Sequence, residues 1–195
     1  PEGRIAGAIP NASVLFSDLV GFTNLAHDLG AARIVEILDG LVTEFDRLAG
    51  ELGVEKIKTI SDGYMAVAGV SQHQADHCQR LARLALAMPG VVESLSRTHN
   101  VDMRIRIGIA SGPVMAGVIG ADKFSYDVWG ETVNLAARLE SHGLPGEIQV
   151  SAEVHDALGD GFLLTERGPV PIKGVGTRQT WFLIEEAKPT ATAVP

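Results

Sequence analysis

Two aspartates stand where strand-like runs give way to turns: Asp18 in Phe16-Ser17-Asp18-Leu19-Val20-Gly21-Phe22-Thr23, and Asp62 in Thr59-Ile60-Ser61-Asp62-Gly63-Tyr64. Hard cations such as magnesium and manganese take one or two carboxylates and complete their shells with substrate phosphates. Two carboxylates converging from neighbouring strands would make a metal–nucleotide site; taken singly, each is equally a turn residue or a helix cap. Gly21-Phe22-Thr23 falls at a helix start, where free backbone N–H groups and the helix dipole favour an anion, although Thr23 is also an ordinary capping residue. Asn134 and Arg138, spaced i, i+4, share one helix face and project an amide and a guanidinium the same way. Such a pair suits a phosphoryl group gathering charge. A solvated face accounts for Arg138 as well, but asparagine is a poor helix former unless it has a task.

Other chemistries lack their residues. His73 and His77 with Cys78 have zinc-like spacing, but the remaining ligands and the glutamate of a zinc hydrolase motif are missing. There is no Gly-x-x-x-x-Gly-Lys-Ser/Thr loop and no Gly-x-Ser-x-Gly. With 16 Lys and Arg against 24 Asp and Glu, the net charge of −8 opposes nucleic-acid binding, and six Phe, two Trp and two Tyr supply little base stacking. An anionic ligand would need local cations. The one cysteine, Cys78, falls in an apolar helical spacing with Ala75, Ala82 and Ala85, which fits a reducing, cytoplasmic compartment. No apolar run is long enough to span a membrane and no signal pattern opens the chain, so no membrane contact is expected of this segment. A chain beginning at Pro1 reads as a soluble piece of something longer, with a membrane or sensor domain a conceivable predecessor.

A length of 195 residues, 46% hydrophobic and 21% charged, predicts one globular core. Ser13 to Phe16 reads as a strand running into Asp18. Val35, Leu38, Val42, Phe45, Leu48, Ala49 and Leu52 recur at helical spacing, with Gly53 as the stop. Val54 to Ile60 and Tyr64 to Ala68 read as a hairpin around Asp62-Gly63, the dipeptide supplying positive φ, with Lys56, Lys58 and Ile60 on one face. Gln74 to Met88 is a helix ended by Pro89-Gly90, with Val91 to Thr98 as its extension after a kink. Met103 to Ala110 is a strand broken by Ser111-Gly112-Pro113 and resumed from Val114 to Ile119. Tyr126 to Trp129 is a strand and Glu131 to Ser141 a helix. The remainder reads as short strands at 147–150, 162–165 and 181–185 around a helix at 152–158. Hairpins interrupt the alternation of strands and helices, so the fold class is α+β with a largely antiparallel sheet.

Taken together, three blocks resemble the class III nucleotidyl cyclase catalytic domain: Phe16 to Thr23; Lys56-Ile57-Lys58-Thr59-Ile60-Ser61-Asp62-Gly63-Tyr64-Met65-Ala66; and Tyr126-Asp127-Val128-Trp129-Gly130-Glu131-Thr132-Val133-Asn134-Leu135-Ala136-Ala137-Arg138-Leu139-Glu140-Ser141. The resemblance implies a ferredoxin-like βαββαβ core flanked by helices, with a catalytic domain at 13–185, an N-terminal extension at 1–12 and a low-complexity tail at 186–195. It implies an adenylyl cyclase, forming cyclic AMP and pyrophosphate from ATP. Asp18 and Asp62, with the carbonyl of Leu19, would hold two divalent cations, Mg2+ or Mn2+. Lys58 and Asp127 would read the adenine edge, Asn134 would orient the ribose and Arg138 would stabilise the α-phosphate. Lys173 and Arg106 would contact phosphates. Guanylyl cyclases carry Glu and Cys where this chain has Lys58 and Asp127. The family builds its site between two domains, and this chain carries both halves, so a homodimer with two equivalent sites is expected, gripped by an arm at 121–125. A guanylyl or relaxed-specificity cyclase, or a non-catalytic dimerisation or regulatory domain, are the alternatives.

Overall fold

The structure, a computed structural model, describes residues 6–120 and 125–188. The arm expected at 121–125 therefore lies, but for Ser125, outside the described residues. Two long strands, β1 (Ala6–Val20) and β4 (Arg104–Ile119), pair antiparallel at the centre. β2 (Glu55–Ile60) and β3 (Gly63–Ala68) form the expected hairpin on the β1 side. On the other side lie β6 (Ile148–Ser151), then β8 (Gly176–Glu186) and β7 (Phe162–Ile172), giving the order β2-β3-β1-β4-β6-β8-β7, with β5 (Ser125–Trp129) on the far end of β4. Among the described residues, β4–β6 is the only parallel pair. The mainly antiparallel α+β class is thus the observed one.

Alternate side chains of the strands feed two apolar layers. Leu15, Ala66 and Ile107 face the layer formed with α2 (Ala31–Leu52), α3 (His77–His99) and α5 (Ala152–Leu158). Val14, Met65 and Val67 face the other, closed by Ala136 and Leu139 of α4 (Glu131–Ser141) and by Val170 and Ile172. A short helix, α1 (Phe22–Leu29), follows β1 directly. No helix among the described residues is long and apolar enough to cross a membrane.

Several elements run further than the local pattern indicates. β1 begins at Ala6 rather than Ser13, because Ala6 to Ile9 pair with Val114 to Gly117 of β4. Residues read as an extension are thus part of the sheet. The register shifts between Ile9 and Ala12, and that bulge lies opposite Pro113, which has no N–H to give to a ladder. β4 therefore passes through Ser111-Gly112-Pro113 without breaking. α3 takes in the extension read at 91–98 and runs as one helix through Pro89 to His99, its buried stripe continuing from Met88 to Val92. In α2 the buried stripe is Ile34, Ile37, Leu41, Phe45 and Ala49, while Val35 is 64% exposed. Two apolar stripes interleave there, and the sheet selects one.

Candidate active site

β1 carries Asp18 to its end, and the β2–β3 turn carries Asp62. Antiparallel pairing of Ser17 with Tyr64 sets that turn against β1 beside Asp18. The turn seats closely: a Cβ on Gly63 would lie 3.0 Å from the Ser17 carbonyl oxygen and 3.1 Å from that of Ile60, so a larger residue would have to push these backbone atoms aside by a few tenths of an ångström. The positive φ expected at Asp62-Gly63 falls instead on Ser61, at 56°. Partial burial is the main force holding the Asp18 carboxyl above the ordinary carboxylate range, helped by the charge of Asp62 and a hydrogen bond to it; Arg106 pulls the other way. Repulsion between neighbouring acids is what a bound cation relieves, and two carboxylates with the Leu19 carbonyl suit a hard one.

The same small cavity is lined by Leu19, Gly21, Phe22, Thr23 and Arg106. Gly21, left-handed at φ 79°, precedes α1, and no side chain caps the helix. Thr23 thus does not act as the cap, and the first-turn N–H groups at this cavity are left for an anion. Arg106, directly opposite Asp18 on β4, donates from Nη2 to Asp18 Oδ2 at 3.3 Å and from Nε to Glu140 Oε1 at 3.1 Å. Glu140 escaped the sequence reading. Its signal is its place on α4, four residues after the buried Ala136, where an acid must be packed toward the sheet. Burial, chiefly, pushes its carboxyl up to about 7, against the pull of Arg106.

Lys58 and Asp127 meet on the other side of the hairpin. Lys58 Nζ donates to Asp127 Oδ2 at 2.5 Å, and Asp127 Oδ1 accepts from the N–H of Val128 at 2.8 Å. Simple alternation puts Lys56 and Lys58 on one face, and the structure corrects this. The register shifts between them: Lys56 lies opposite Ala66 and Lys58 opposite Met65, residues of different apolar layers. A bulge at Ile57 therefore turns the two lysines to opposite faces.

Asn134 and Arg138 line a third place, a cavity of about 650 Å³. The β7–β8 hairpin closes it with Lys173, and with Arg178, which the sequence reading also missed. Among the described residues no carboxylate pairs with Arg138 or Lys173. Arg138, Lys173 and Arg178 outnumber the two acids of the same lining, Glu131 and Glu153, and a locally positive balance in a chain of net charge −8 suits an anionic ligand. This cavity shares no lining residue with the one holding Asp18 and Asp62. The zinc-like spacing of His73 and His77 finds no such use: His77 Nδ1 lies 2.5 Å from Ser13 Oγ inside the fold, and His73 is exposed.

Comparison with known proteins bears on these groupings. The family described as the Adenylate and Guanylate cyclase catalytic domain matches residues 6–185. An adenylate cyclase of Mycobacterium tuberculosis is 47% identical over 185 residues, covering 94% of this chain and 42% of that protein. The guanylate cyclase soluble subunit beta-2 of Rattus norvegicus is 40% identical over 193 residues, 97% of this chain and 28% of its own length. The crystal structure of the guanylate cyclase domain of RhGC from Catenaria anguillulae, in complex with GTP, matches with a TM-score of 0.89 at 30% identity, over 93% of this chain and all of that one. The chain spans less than half the length of these curated relatives.

Proposed function

We propose, from the premise that this chain belongs to the class III adenylate and guanylate cyclase catalytic domain family, that it is the catalytic part of an adenylyl cyclase working as a homodimer. In the proposed reaction the ribose 3′-hydroxyl of ATP gives up its proton as its oxygen bonds to the α-phosphorus, the bond from that phosphorus to the bridging oxygen breaks, and pyrophosphate and the proton are released, leaving 3′,5′-cyclic AMP. The carrying observation is the Lys58–Asp127 pair, a donor and an acceptor held side by side. Lysine donates to an adenine ring nitrogen and aspartate accepts from the exocyclic amine. Guanine presents a carbonyl at that place, leaving the carboxylate facing an acceptor, and unpaired buried groups discriminate strongly.

The remaining roles follow from the cavities. Asp18 and Asp62, with the Leu19 carbonyl, would hold two divalent cations, magnesium or manganese; bound there, they would neutralise phosphate charge and acidify the attacking hydroxyl. Arg106 and the N–H groups of Gly21 to Thr23 bind phosphate oxygens beside those acids. Asn134 orients the ribose, Arg138 meets the charge that builds on the α-phosphate, and Lys173 binds the polyphosphate tail. The separation of the cavity of Asn134 and Arg138 from that of the aspartates within one protomer supports a site whose two parts come from different copies.

The test is to incubate the purified chain with ATP or GTP and manganese and identify the products chromatographically. Cyclic AMP from ATP, in excess over cyclic GMP from GTP, is expected. The reverse preference overturns the choice of purine, and no cyclic nucleotide from either substrate overturns the enzyme reading in favour of a non-catalytic domain.

A further inference from the structure

We propose that Asp46, Lys56 and Tyr64 form a clamp on the helix-facing side of the hairpin which fixes the bulge at Ile57 and so sets the purine selectivity of Lys58. The inference rests on the reading of Lys58 and Asp127 as the base-recognising pair. Among the described residues β2 is the edge strand of the sheet, six residues long and hydrogen-bonded only to β3. Short, exposed edge strands hold their register weakly. Yet the function of Lys58 depends on register, since in an unbulged strand Lys56 and Lys58 would face the same way.

Each lysine finds an acid on its own side. Lys58 reaches Asp127 on β5, and Lys56 Nζ donates to Asp46 Oδ2 on α2 at 2.8 Å. Asp46 is itself held, because the Tyr64 hydroxyl donates to its Oδ1 at 2.7 Å. Tyr64 is only 2% exposed, with its ring edge-on to Phe45 at 5.4 Å, and the Lys56 ammonium lies 5.6 Å from the ring centre. The acid tied to Tyr64 on the helix side thus holds Lys56 there, and the bulge delivers Lys58 to the opposite face. Without the Lys56–Asp46 contact, a slip that removes the bulge carries Lys58 away from Asp127. Asp46, Lys56 and Tyr64 are positioning residues in this scheme, acting through Lys58.

The experiment measures the KM for ATP, the inhibition constant of GTP against it, kcat and Tm in the dimeric chain. Lys56→Met, Asp46→Asn and Tyr64→Phe are compared with Lys56→Arg and Lys58→Met. A half-exposed ion pair is weak, so the GTP-to-ATP constant ratio should fall about fivefold in Lys56→Met and Asp46→Asn. Little change in Tm or kcat is expected, and Lys56→Arg should keep the parental ratio. Tyr64→Phe, which loses one hydroxyl and keeps the ring, should fall the same way and guards against misfolding of the others. An unchanged ratio in these variants, with a lowered one in Lys58→Met, overturns the clamp. An unchanged ratio in Lys58→Met overturns instead the base-reading role beneath it. Equal losses for both nucleotides with a lowered Tm mean that the three residues only stabilise the fold, which also overturns the proposal.

Discussion

Arg138 and Glu140 sit two residues apart on α4 and face opposite duties. Arg138 lines a cavity with Lys173 and Arg178, and in the proposed reaction its guanidinium would meet the charge that grows on phosphate. Arg138→Ala should lower kcat by about 10²–10³ with a much smaller effect on the KM for ATP, and steady-state kinetics decide this. Glu140 faces the sheet and holds Arg106. Its carboxyl, raised from 4.5 to about 7 mainly by burial, keeps a proton in the folded chain that the unfolded chain releases above 4.5. The folded state therefore binds more protons between those values, and stability falls as pH rises through that window. Melting curves in EDTA from pH 4.5 to 8 should show this decline, flattened in Glu140→Gln; an equally steep profile in that variant excludes Glu140 as its source. Asn134 and Arg138 were legible because i, i+4 spacing fixes a shared face. Lys58 and Asp127 are 69 residues apart, and only the family resemblance joined them before the fold did.

Helices α2 and α4 and the β2–β3 hairpin could be read from periodicity and turn residues, because their determinants are local. The full lengths of β1, β4, β7 and β8 could not, since their ends are held by partner strands distant in sequence and by a bulge that accommodates Pro113. The bulge at Ile57 was hidden for the same reason: alternation is a local rule, and the register shift is decided by β3 and by acids on α2 and β5. The closeness of α4 to the sheet was equally invisible, though it rests on one residue. A Cβ on Gly108 would come 2.2 Å from the Glu140 nitrogen and 2.5 Å from the Ala136 oxygen, both backbone atoms of α4. Nothing flexible can give way, so the helix itself must move. Gly108→Ala should cost about 3 kcal/mol, at the upper end of overpacking effects, and lower Tm by roughly 10 °C in a domain of this size. Because α4 carries Asn134, Arg138 and Glu140, activity measured well below that Tm should fall as well; a Tm within two degrees of the parent would show that the helix and strand are less tightly packed than this.

At the scale of the whole molecule, the separation of the two cavities makes a quantitative demand. If each complete site joins Asp18 and Asp62 of one copy to Asn134 and Arg138 of the other, then Asp18→Ala and Asn134→Ala each destroy both sites of their own homodimer. Mixed together, the two inactive proteins form a dimer in which one site collects both lesions and the other collects neither. Random exchange of equal amounts makes half the dimers mixed, each with one working site of two, so activity should return to roughly a quarter of the parental level. Combining Asp18→Ala with Asp62→Ala, lesions on the same side of the seam, should return nothing, because no pairing of those subunits assembles an intact set of acids. Tagged copies followed through co-purification establish that exchange has taken place. Recovery only in the first mixture requires a site built from two chains, whereas silence in both despite demonstrated exchange would mean that one protomer holds the whole reaction.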